Sequence, residues 1–178
     1  MRVQSYSIGL TIMVAFLAAT PVLAGPGDYT EIGDGDWRDA TLLTALDGAL
    51  WAIDDGTLYK VSKTGSWAEV GGDDWRDTTQ MVGMDGVLWL IDDGTLYTVD
   101  KTGKYAEVGS DDWRDTTLMV GMDGALWLID DGTSYRVDKT GKYTQIGSED
   151  WRDTTLMAGM DGALWLIDAG TLYRVSTK

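Results

Sequence analysis

Residues 116–147, TTLMVGMDGALWLIDDGTSYRVDKTGKYTQIG, hold four segments of strand length, and their reading decides the fold. The segments are Thr116 to Met122, Ala125 to Ile129, Thr133 to Asp138 and Tyr143 to Gly147, each bounded by a turn signal. Asp123-Gly124 and Asp131-Gly132 have the composition of two-residue hairpin turns, and Lys139-Thr140-Gly141 supplies a third turn with Gly free to take positive φ. Three consecutive hairpins predict a four-stranded antiparallel meander. Its first two strands are apolar on both faces, the third alternates, and the fourth is short with Lys142 and Gln145 outward. Burial that falls from first strand to fourth is the pattern of a propeller blade, whose inner strands lie between neighbours while the outer strand forms the rim.

The unit repeats. Trp37, Trp75, Trp113 and Trp151 are 38 residues apart, as are Trp51, Trp89, Trp127 and Trp165. Copies starting at Trp67 and Tyr105 differ at only 6 of 38 positions, which marks recent duplication and makes identity between copies a poor guide to function. The array is out of phase with the chain: Tyr29-Thr30-Glu31-Ile32-Gly33 is a fourth-strand segment, whereas Leu172-Tyr173-Arg174-Val175 is a third-strand one. The expected fold is therefore all-β, a four-bladed β-propeller built from four 38-residue repeats, with the N-terminal strand closing the last blade. Closure would cover an edge that otherwise templates aggregation. The chain is expected to be a monomer. The alternative is a ring-completing dimer, two chains forming one eight-bladed ring; an open solenoid fits less well, because its ends call for atypical capping repeats.

Composition narrows the chemistry. The 178 residues include no Cys and no His, which removes disulfides, thiolate catalysis, Cys-ligated metals and every triad built on imidazole. With 14 Lys and Arg against 29 Asp and Glu, the formal charge of -15 repels phosphate backbones and anionic headgroups, so neither nucleic acid nor membrane insertion is expected. Residues 1–24 have the zones of a signal peptide: Arg2, an apolar run from Ile8 to Ala19, and the small-residue exit Val22-Leu23-Ala24. That run falls short of the roughly 20 apolar residues a spanning helix takes. The expected organisation is a leader over 1–24 and a β-propeller repeat domain over 25–178, secreted or periplasmic once the leader is removed.

The unit Ile146-Gly147-Ser148-Glu149-Asp150-Trp151, followed by Asp161-Gly162-Ala163-Leu164-Trp165 and Gly170-Thr171-Leu172-Tyr173, resembles the tectonin and tachylectin-2-like β-propeller lectins. The resemblance implies binding of N-acetylated or other neutral sugars at equivalent inter-blade pockets, without catalysis. Glycans clustered on a cell surface are the partners it implies. The blades here are shorter than the family's, and acidic pairs such as Asp73-Asp74 and Asp111-Asp112 stand at its Gly-rich positions.

The candidate ligand-binding residues are those of the repeated loop: Asp36, Trp37, Arg38 and Asp39; Asp74, Trp75, Arg76 and Asp77; Asp112, Trp113, Arg114 and Asp115; Asp150, Trp151, Arg152 and Asp153. Trp offers an apolar face to a sugar ring, and Arg and Asp offer directional hydrogen bonds to hydroxyls. The same residues also suit a structural role, with Trp as a wedge between blades and Arg–Asp pairs knitting the ring. Asp34-Gly35-Asp36 and Asp54-Asp55-Gly56 bring hard oxygens together as calcium requires, but the Asp-Gly steps are turn formers and the EF-hand spacing is absent, so no metal and no cofactor is assigned. No catalytic residue is assigned either: paired-carboxylate chemistry needs two different environments, and fourfold repetition predicts equivalent ones. The expected function is a secreted, multivalent, non-enzymatic carbohydrate-binding propeller; the alternative is a protein-interaction propeller that docks a basic partner through its acidic rim.

Overall fold

The computed structural model describes residue 26 and residues 30–177; the leader expected over 1–24 lies outside the described residues, as does Tyr29. Contacts divide the chain into Met1–Glu31 and Ile32–Lys178, and the second unit carries every strand among the described residues. The described residues contain no helix. The strands form four antiparallel sheets, each a meander in chain order, as the hairpin signals predict. The first sheet holds β1 (Ala40–Leu46), β2 (Ala49–Asp54), β3 (Thr57–Val61) and β4 (Trp67–Glu69). The second holds β5 (Thr78–Met84), β6 (Val87–Asp92), β7 (Thr95–Val99) and β8 (Tyr105–Glu107). The third holds β9 (Thr116–Met122), β10 (Ala125–Asp130), β11 (Thr133–Val137) and β12 (Tyr143–Gln145), and the fourth β13 (Thr154–Met160), β14 (Ala163–Asp168) and β15 (Thr171–Ser176). Each sheet is one blade of β-propeller type, and the chain holds four among the described residues.

Alternate side chains along a strand serve opposite faces, so a blade packs on both sides. In the second blade Met81, Leu88, Leu90 and Val99 join Leu46, Trp51, Ile53 and Leu58 of the first in one buried cluster. Its other face sends Trp89, Ile91 and Leu96 into a cluster with Met119, Leu126, Leu128 and Val137 of the third. Innermost strands stack β1 on β5, β5 on β9 and β9 on β13, with no comparable packing of β13 on β1.

The ends of that stack depart from expectation. The fourth sheet has three strands, and residues 30–33 form no strand, so the closing strand expected over Tyr29 to Gly33 is not paired with β15. Ile32 and Gly33 lie instead against Gly65 on the first blade, at the opposite end of the stack from β15. Both outer faces are consequently bare, with Leu43 66% exposed on the first blade, and Leu156 and Leu172 62% and 63% exposed on the fourth.

Close stacking of the innermost strands sets a steric test. A Cβ on Gly83 would strike the backbone carbonyl of Ala45, which is fixed in β1, whereas a Cβ on Gly121 would meet the Met84 and Val82 side chains at 3.0–3.1 Å. Overpacking against backbone is expected to cost Gly83→Ala about 1–3 kcal/mol, and Gly121→Ala, facing a flexible thioether, less than half of that. Urea denaturation of both variants measures the difference; equal losses would contradict this packing.

Candidate functional site

The loop that carries the candidate residues links the outer strand of one blade to the inner strand of the next. Asp is fitted to its opening because a short carboxylate folds back on its own backbone. Asp74 Oδ1 accepts the Arg76 N–H at 3.1 Å, and Asp112 and Asp150 do the same for Arg114 and Arg152 at 3.1 Å each. The guanidinium returns to the same carboxylate, at 3.4 Å for Arg76–Asp74, 3.6 Å for Arg114–Asp112 and 3.3 Å for Arg152–Asp150; in the first repeat Arg38 meets Asp36 at 2.9 Å. Each loop hooks onto the hairpin turn of the preceding blade. The Trp75, Trp113 and Trp151 N–H groups donate to the Gly56, Gly94 and Gly132 carbonyls, all at 2.8 Å.

These hooks turn the indoles inward. Trp75, Trp113 and Trp151 are 4%, 3% and 8% exposed, packed edge-on against Tyr97, Tyr135 and Tyr173. As a platform for stacking a sugar, these three rings are corrected to inter-blade core, because a buried face is closed to a ligand. Trp37, with no blade before it, is half-buried against Tyr59 and Trp67.

The polar members of the loop stay at the surface. Asp39, Asp77, Asp115 and Asp153 accept the N–H of Asp55, Asp93, Asp131 and Ala169 on their main-chain carbonyls, at 3.2–3.3 Å, and lie exposed. Arg114 also approaches Asp93 of the preceding turn at 3.9 Å, and Arg152 approaches Asp131 at 3.6 Å. Between the first and second repeats Arg38, Asp39, Asp55 and Arg76 line an open polar groove of 550 Å³. Carboxylates predominate along this edge: in the second repeat Asp74, Asp77, Asp92 and Asp93 accompany only Arg76. The opposite edge is nearly balanced, with Lys101 paired to Asp47 at 2.6 Å and Lys139 to Asp85 at 2.8 Å.

One recurrent contact has a sequence signal outside the short motifs, a Thr three residues after the loop Trp with an Asp 14 residues on, in three of the four repeats. Thr78, Thr116 and Thr154 donate to Asp92, Asp130 and Asp168 at 2.8, 2.9 and 2.8 Å, tying the start of one strand to the end of its neighbour. Ala40 stands at this position in the first repeat, and Asp54 Oδ1 is buried there without a hydrogen-bond partner. Burial raises the Asp92 and Asp130 carboxyls; the Thr hydroxyl opposes the shift, and Asp77 with Asp93, or Asp115 with Asp131, adds to it. Among the described residues no three acidic side chains converge as a metal site would require.

No family model and no curated protein matches the sequence. Solved structures do match in fold. Virginiamycin B lyase from Staphylococcus aureus is 16% identical with a TM-score of 0.63, covering 86% of this chain and 61% of its own. The computationally designed Ika4 protein is 16% identical with a TM-score of 0.62, over 84% of this chain and 100% of its own. BamB from Moraxella catarrhalis is 19% identical with a TM-score of 0.56, over 75% and 42%. The chain thus spans about three fifths of the lyase's length. These neighbours support a β-propeller and do not extend to the tectonin and tachylectin-2-like lectins. They also overturn the expectation that the chain is not an enzyme, since a lyase shares the fold. Nor are the carboxylates equivalent from repeat to repeat: Asp92 has its Thr partner and Asp54 does not.

A raised carboxyl in the fold means that folding holds a proton the unfolded chain releases. Its contribution is therefore present below the unfolded value of 3.8 and is lost as pH rises through the folded pKa. Asp92→Asn keeps an acceptor for Thr78 and carries no charge. The variant is expected to gain stability relative to the parent as pH rises from 3.8 toward neutrality, measured by chemical denaturation across that range. A relative loss over the same range would contradict the assignment.

Proposed function

We propose that the protein is an exported propeller that docks a basic protein segment along the edge formed by the Asp-Trp-Arg-Asp loops. The observation that carries this reading is the division of that loop, its indoles taken into the core and its carboxylates left outside in excess over arginine. An edge of one sign steers an oppositely charged partner and discriminates against like-charged ones. The stacked blades repeat these carboxylates from loop to loop, each with an arginine paired to it. Sugar recognition draws on an exposed ring face, which burial of Trp75, Trp113 and Trp151 removes from these loops. Export rests on the leader pattern of residues 1–24; no helix among the described residues is long and apolar enough to cross a membrane.

An oligolysine peptide titrated at low and high salt tests the reading. Affinity is expected to fall steeply with salt. Removing two charges from this edge with Asp77→Asn and Asp115→Asn, both exposed beside the Asp93 and Asp131 turns, is expected to weaken binding roughly three- to tenfold, the scale of about 1 kcal/mol. The same charge change on the opposite edge, Asp123→Asn with Asp161→Asn, is expected to leave it unchanged. Equal losses from both pairs, or salt-insensitive binding displaced by a free monosaccharide, would overturn the proposal, the second in favour of a lectin.

A further inference from the structure

The two end blades present the two halves of an interface that the chain already makes three times. Between successive blades, the following blade offers the face of Met81, Leu88 and Leu90, and the preceding blade the face of Trp51, Ile53 and Leu58. The first blade leaves the former kind of face bare, with Leu43 and Leu50 exposed beside a 620 Å³ apolar recess that Ala52 and Val61 also line. The fourth leaves the latter kind bare, with Leu156, Met160 and Leu172 exposed. We infer that two copies of this chain close one ring, the bare face of each first blade resting on the bare face of the other copy's fourth blade.

Register supports the fit. Leu42 and Met81 share the first inter-blade cluster, and Leu118 and Met157 share the last. The same 38-residue step brings Leu156 of one copy to Leu43 of the other.

The N-terminal edge of the described fold is placed for this junction. Gly71 lies against Gly103, and Gly109 against Gly141, where the outer strand of one blade ends on a turn of the next. Gly33 lies against Gly65 in the same way, so Ile32 and Gly33 occupy the position at which a preceding blade's outer strand would end. The fourth blade lacks that strand. It also lacks a ring: Trp75 and Trp113 each contact two tyrosines, whereas Trp151 contacts Tyr173 alone among the described residues. Docking a second copy therefore supplies the missing face and sets its Ile32 and Gly33 where a preceding blade's outer strand would end. Closure within one chain would instead re-angle three interfaces whose side chains, Leu88, Leu90 and Leu126 among them, are fully buried.

Light scattering after size exclusion is expected to give twice the chain mass. Leu43→Glu and Leu156→Glu, each at a side chain exposed in the single chain, are expected to halve that mass with an unchanged circular dichroism spectrum. An equimolar mixture of the two variants is expected to recover dimer, because one of its two interfaces has no substitution. A parent protein at the mass of one chain, or a dimer that survives both substitutions, would overturn the inference. Neither result bears on the acidic edge, which is read separately by oligolysine binding.

Discussion

The apolar contact between one blade and the next is the interaction on which everything else here depends. A single sheet with two apolar faces has nothing to bury either against, and burying a Leu, Ile or Val side chain contributes about 1.5–3 kcal/mol. Leu88, Leu90, Ile91, Leu126, Leu128 and Ile129 are all but inaccessible because their blades have a neighbour on each side. At the two ends of the stack that cover is missing: Leu50, the counterpart of Leu88, is exposed, and Ile167, the counterpart of Ile129, is only half-buried. The difference is one of position in the array, since the repeated residues are nearly the same.

The chemistry of the edge follows from that stacking. Each loop between two blades is seated by a Trp that fills the gap between them and by a main-chain hydrogen bond to the turn behind it. Arg and Asp are then presented outward at the spacing of the blades. Each exposed Arg–Asp pair adds at most about 1 kcal/mol to stability. Their regular placement is thus better understood as a property of the surface than as a means of holding the ring together. A ring of two copies would extend the same edge around a full circle.

Much of the fold was legible in the sequence because hairpin turns and period-two burial are local signals. Asp131-Gly132 adopts the paired positive φ values its composition implies, 41° and 75°, and Ala169-Gly170 keeps the same turn without the Asp. The strand limits of residues 116–147 likewise follow the apolar runs closely. What local pattern did not convey was which face of a blade meets another blade. The orientation of Trp75 depends on that, as does the absence of a fourth strand outside β15. Thr78 and Asp92 were overlooked for a related reason: a hydrogen bond across a bulge in the strand register joins residues that no short motif connects.

The absence of native cysteine offers a direct view of the end faces. Leu43→Cys and Leu156→Cys, made in separate chains and mixed, place one thiol on each kind of face, and a short bis-maleimide reads whether the faces meet. The account predicts a cross-linked dimer in the mixture and none from either variant alone. No cross-link in the mixture, together with a cross-link inside a single chain carrying both cysteines, would show that the blades close on themselves and contradict it.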